Sequence, residues 1–118
     1  MKSSSTFADR AFRFYRTLEL PVSLPQRIEV MNPYRKTAVR GYVKSFLDKF
    51  FSENRKRVLV FGINPGRFGA GITGITFTDP IALEKFCGIP NHLPKKRELS
   101  CTFVYEFIRR FGGVQKFY

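Results

Sequence analysis

The sequence predicts an α/β fold, and three observations carry that expectation. Helix-type and strand-type apolar patterns alternate along the chain. The run VLVFGI at 58–63 is continuously β-branched, aliphatic and aromatic, as in a strand buried on both faces of a parallel sheet. Only that one run is a convincing strand, so the sheet it requires is incomplete within these 118 residues.

The first helix is expected where Phe7, Ala11, Phe14, Tyr15 and Leu18 recur at helical spacing, ending before Pro21. The segment that follows has three prolines and reads as irregular, with a short extended piece at 28–31. Val39, Tyr42, Val43, Phe46, Leu47 and Phe50 keep the i, i+3, i+4 pattern and predict the second helix. The strand at 58–63 comes next, preceded by Arg55, Lys56 and Arg57. Asp79-Pro80 pairs a capping side chain with the residue best suited to a first helical position, so a short helix should run from there to near Gly88. A loop carrying Lys95, Lys96 and Arg97 leads to Ser100, which reads as the cap of a last helix. That helix carries Phe103, Val104, Phe107, Ile108 and Phe111 and stops at Gly112-Gly113. Residues 114–117 are a further strand candidate.

The chain carries 21 Lys and Arg against 9 Asp and Glu, a formal charge of +12. This balance points to a polyanionic partner, with nucleic acid the first candidate. Cys87 and Cys101 form no metal-binding pair, the single His92 sits in a loop, and no metal site is expected. Both cysteines read as small buried hydrophobes in a reducing, intracellular compartment. No apolar run approaches the length of a membrane span. The Ser- and Arg-rich start resembles a transit peptide in composition, but Asp9 and Glu19 interrupt it and its apolar residues continue into the first helix.

The unusual stretch follows the strand. Gly62, Gly66, Gly69, Gly71 and Gly74 place five glycines within thirteen residues, with Asn64-Pro65-Gly66 at the mouth. The tripeptide alone is a good turn. Glycine at this density costs backbone entropy and suits main chain that approaches a ligand closely. The carboxyl end of a parallel strand is also where ligands bind in open α/β sheets. A phosphate-binding loop would need Gly-Lys-Ser/Thr, which is absent, and the glycine spacing does not fit a dinucleotide fingerprint.

The segment VLVFGINPGRFGAGITGITF resembles motif 1 of uracil-DNA glycosylases, in particular the single-strand-selective monofunctional branch. That branch reads Gly-Met-Asn-Pro-Gly-Pro-Phe-Gly, then Thr-Gly-Val-Pro-Phe. Gly62, Asn64, Pro65, Gly66, Phe68, Gly69, Thr73, Gly74 and Phe77 match without a gap. IEVMNPY upstream and ELSCTFVYEF downstream are similar to the same branch. Ile63, Arg67, Ala70 and Thr76 depart from the pattern, and Arg67 and Ala70 bear on the pocket wall and the substrate range.

The resemblance implies a three-layer α/β/α fold with a parallel central sheet, of which residues 1–118 form the amino-terminal half as a single domain. It implies DNA as partner, no cofactor, and a location with the genome: the bacterial nucleoid or the eukaryotic nucleus. Asn64 would hold the attacking water, Phe77 would stack on a flipped uracil, and main chain around Ile63 and Phe77 would read its edge. Gly66 would leave room beside C5, admitting bases such as 5-hydroxymethyluracil. Gly62, Pro65 and Phe68 would complete the wall. Lys95, Lys96 and Arg97 could contact DNA phosphates, although such a run is also an ordinary solvated loop. The family's second half supplies an Asn that reads uracil, a His that stabilises the leaving base and a wedge that enters the duplex. None has a counterpart here, and His92 lies in the wrong context. Two other readings stay open: a basic nucleic-acid-binding module without catalysis, and a truncated frame without independent function.

Overall fold

The computed structural model describes residues 4–118; Met1, Lys2 and Ser3, the first residues of the Ser- and Arg-rich start, lie outside the described residues. The chain forms α1 (Phe7–Arg16), a 3₁₀ turn (Pro33–Arg35), α2 (Thr37–Phe50), α3 (Ala70–Thr73), α4 (Pro80–Lys85), α5 (Leu99–Phe111) and α6 (Val114–Phe117). Thr6 and Asp9 close a capping box at the start of α1, each side chain meeting the other's backbone N–H. Asp79 caps α4 by accepting the Ala82 N–H at 2.8 Å, with Pro80 in the first turn. Gly112, at φ 123°, ends α5 in a backbone conformation suited to glycine.

The core forms where α2 meets the segment 73–89 and α5. Val39, Val43, Phe46, Leu47 and Phe50 supply the buried stripe of α2, as their spacing predicts. Leu83 and Cys87 are fully buried beside Cys101, Tyr105 and Ile108 of α5. Both cysteines are free thiols inside this core. Burial pushes the Cys101 thiol up to about 12, which keeps it neutral and consistent with a packing role.

Four sequence expectations are corrected. Residues 58–63 form no ladder: among the described residues there is no strand, and no backbone group of this run makes a hydrogen bond. Val58 is 92% exposed and Phe61 84%, so a run built for burial on both faces is bare on both. The parallel sheet is therefore absent from the described residues. Residues 28–31 are likewise not a strand, and 114–117 form α6, whose first turn follows Gly113 at φ 95°. The cap of α5 is Glu98 and not Ser100. The Cα radius of gyration is 15.0 Å, above the value of about 13.5 Å typical of a compact domain of this length. The excess agrees with a core that is closed on one side and open on the other.

Candidate active site

The glycine-rich segment is anchored on its downstream side. Thr73, fully buried, donates its hydroxyl to the Thr78 carbonyl at 2.7 Å and accepts the Ile75 N–H at 3.1 Å. That pair of bonds folds 73–78 into a closed turn. Gly74 sits at its corner with φ 73°, where a Cβ would meet Tyr34 and Val43 at 2.8 Å, so only glycine fits both backbone and space. The Tyr34 hydroxyl donates to the Gly74 carbonyl at 2.8 Å. The Thr78 and Tyr105 hydroxyls bond at 2.8 Å, and Tyr105 is held far above the ordinary tyrosine range, first by burial. Asp79 joins two elements: one carboxylate oxygen caps α4 and the other accepts the Glu98 N–H at 3.0 Å.

This scaffold aims Phe77. Its φ of 56° is left-handed, a strained choice for a bulky residue. The ring lies against Gly62, where a Cβ would come within 3.0 Å of the ring edge. Gly62 and Phe77, separated by fourteen intervening residues in sequence, are therefore brought into contact across the loop. Asn64 is exposed, and its one hydrogen bond among the described residues is a long 3.4 Å donation from its amide nitrogen to the Pro65 carbonyl. Its amide oxygen is left without a protein partner among those residues. Ile63 and Pro65 are exposed beside it.

Phe68 is half-buried and sits between two cations. Lys96 Nζ lies 4.8 Å and the Arg67 guanidinium carbon 5.5 Å from its ring centroid. The basic run is thus split. Lys96 is brought to the loop, Arg97 is exposed, and Lys95 is tied to Glu84 at 3.0 Å and to the Asn91 side chain at 2.6 Å. Lys95 therefore serves the local fold as well as the surface charge.

Sequence reasoning missed Glu98. A Cβ at Gly66 would fall inside its carboxylate, and one at Gly69 would collide with it as well. One carboxylate oxygen accepts the Ser100 hydroxyl at 3.0 Å, while the other, Oε2, is buried without a partner among the described residues. The two glycines thus make room for Glu98 on the side where their side chains would project. The sequence carried two signals: Glu98 directly follows three basic residues, and it opens the ELSCTFVYEF segment that is similar to the same branch. Gly71 is similarly confined, between Met31 Sδ and the Gly66 carbonyl. His92 lies elsewhere, its N–H bonded to the Tyr42 hydroxyl. No group of three or more metal-ligating side chains occurs among the described residues.

No family model matches the chain, and no curated relative does. Among solved structures, the chain is similar to SMUG2 of Pedobacter heparinus, at 41% identity and a TM-score of 0.87. The match covers 95% of this chain and 49% of that one, so the chain spans about half the length of the structure it matches. The likeness falls on the amino-terminal half of SMUG2, a protein of the single-strand-selective monofunctional uracil-DNA glycosylase type. The likeness therefore extends over nearly the whole chain, whose path follows that of the corresponding half of SMUG2, without the strands of a sheet among the described residues.

Proposed function

We propose that this chain carries the water-positioning half of a glycosylase active site that releases uracil from DNA. The observation that carries the reading is the SMUG2 likeness over 95% of the chain, with the Asn64 loop intact within it. In the proposed reaction the base is flipped out of the strand. The water oxygen bonds to the sugar C1′, the C1′–N1 bond breaks with its electron pair going to the base, and the water proton passes to solvent or to the departing base. The unpartnered Asn64 amide oxygen holds that water by accepting its hydrogen bond. An amide is too weak a base to remove the proton, so Asn64 aims the water and does not activate it.

Phe77 offers its ring as a stacking surface, and main chain around Ile63 and Phe77 reads the base edge. Main chain at Pro65 and Gly66 shapes the wall. The side of Gly66 expected to leave room beside C5 is taken by the Glu98 carboxylate, so the proposed base is uracil and not 5-hydroxymethyluracil. Lys96, and with it Arg97, contacts backbone phosphates. No group visible here stabilises the departing anion, so the 118-residue chain alone is proposed to be inactive.

The test joins this chain covalently to the part of Pedobacter heparinus SMUG2 that it does not match. Uracil-containing single-stranded DNA is incubated with the joined protein, then treated with alkali to reveal abasic sites. Cleavage is expected for the joined protein, no cleavage for the 118-residue chain, and a loss of at least a hundredfold for Asn64→Ala in the joined protein, the scale on which a single positioning contact acts. A folded joined protein without cleavage, or full activity in Asn64→Ala, overturns the reading. The charge of +12 favours a second reading, a DNA-binding module without chemistry. It would show steeply salt-dependent binding by the chain alone, with no dependence on uracil.

A further inference from the structure

Asn64 does little to fix its own direction. Its side chain is exposed and makes one long bond, to the Pro65 carbonyl at 3.4 Å. Holding a water in place requires a defined side-chain direction. Upstream, 58–63 makes no backbone hydrogen bond that could supply it. Downstream, the ring of Pro65 locks one of the rotations between Asn64 and Gly66, so the path at Gly66 carries through to Asn64. Gly66 is held from two sides. Its carbonyl accepts the N–H groups of Gly69 at 3.2 Å and Gly71 at 2.8 Å, which ties 66–71 into one turn. On the other side lies the Glu98 carboxylate, placed where a Cβ of Gly66 or Gly69 would stand.

Glu98 is itself seated through its backbone. Its N–H donates to Asp79 Oδ2 at 3.0 Å, and its carbonyl accepts the Thr102 N–H at 3.0 Å and the Thr102 hydroxyl at 3.2 Å. The side chain is therefore a strut that runs from the ordered segment around Asp79 to the loop. Oε2 is buried without a partner among the described residues, and a carboxylate oxygen in that state costs stability. Capping does not account for it, since the Glu98 side chain makes no capping bond to α5. A buried polar atom kept at such a cost calls for an explanation, and the loop is what the carboxylate touches.

We infer that Glu98 is a positioning residue for Asn64: its carboxylate sets the path of 66–69 and, through Pro65, the direction of the Asn64 amide. The inference rests on the proposed role of Asn64 in excision. Glu98 touches neither water nor base in this role. It acts by filling the space against Gly66 and Gly69, so an amide of the same shape preserves the effect and truncation removes it. The bonds that seat residue 98 use its backbone and survive truncation to Ala.

The test has one arm without catalysis and one with it. In the 118-residue chain, Glu98→Ala should speed amide exchange at Gly69 and Gly71 at least tenfold, with exchange at Leu83 and Phe86 and the helical circular dichroism spectrum unchanged. In the protein joined to the unmatched part of SMUG2, the same variant should lower the single-turnover rate of uracil excision at saturation at least tenfold, while the half-saturating concentration moves by less than about threefold. Glu98→Gln should stay within about threefold of the parent on both measures. In an Asn64→Ala background, Glu98→Ala should add less than about threefold, because the side chain it aims is already gone, whereas independent roles would multiply. Unaltered exchange at Gly69 and Gly71 overturns the inference whatever the joined protein does. So does a multiplied loss in the double variant, a Glu98→Gln as slow as Glu98→Ala, or loss of the helical spectrum in Glu98→Ala. Exchange that responds as expected beside a parent joined protein without uracil excision would sink the catalytic reading and confine Glu98 to supporting the loop.

Discussion

The two flanks of the Asn64 loop are built to opposite standards. Downstream, residues 73–79 are locked by Thr73, Tyr34, Tyr105 and Asp79, with a polar group satisfied at each turn of the chain. Upstream, 58–63 is apolar, exposed and without hydrogen bonds. Both flanks meet at Gly62 against Phe77. The difference separates two sources of order. Hydrogen bonds between near neighbours can set a pocket wall within a short chain, whereas a buried strand takes its order from elements on both sides.

Substitutions on the two flanks should therefore differ in size. Leu83 is fully buried beneath the ordered flank. Leu83→Ala should lower unfolding stability by about 3 kcal/mol, because it removes buried methyl groups and leaves a cavity. Chemical denaturation of the purified chain measures this, and a loss below about 1 kcal/mol would mean that the core is looser than its burial indicates. Thr73→Val keeps the shape and deletes the hydroxyl. It should cost about 2 kcal/mol, since the Ile75 N–H and Thr78 carbonyl lose a partner in a buried place. The same variant should speed amide exchange across 73–78, and unchanged exchange there would break the contrast from the ordered side. Phe61→Ser, on the bare flank, should change the stability of the isolated chain by less than about 0.5 kcal/mol while raising its solubility. A large destabilisation by Phe61→Ser would show that 58–63 packs on the chain's own core, and the contrast would fail from the other side.

Much of the fold is legible in local pattern. Helices α1, α2, α4 and α5 follow from spacing and, for α4, from the cap carried by Asp79, because each of those signals acts within a few residues. Residues 58–63 were misread for a physical reason. The apolar run encodes an affinity for burial, but a ladder also needs partner strands, and among the described residues there are none. The reading of 114–117 as strand failed because Gly113 turns the backbone sharply enough to start another helical turn. At the site, the glycine density and the Asn-Pro-Gly motif were visible in order along the chain. The place of Glu98 was not, since its meaning depends on the fold carrying position 98 to positions 66 and 69. The stripe of Phe103, Phe107 and Phe111 was seen, but a periodic pattern does not tell which of two faces has a neighbour.

The left-handed backbone at Phe77 constrains which sequences could occupy this position. A β-branched residue there would be penalised twice, by the backbone angle and by crowding at Cβ. Glycine or asparagine would be at ease, and each would discard the ring. Retaining phenylalanine means accepting a standing conformational penalty of about 1–3 kcal/mol, met by the Thr73 and Tyr105 bonds on the far side of the turn. Random drift at position 77 would run downhill toward small or amide residues. A large aromatic at this spot is the signature of something other than folding stability holding it in place.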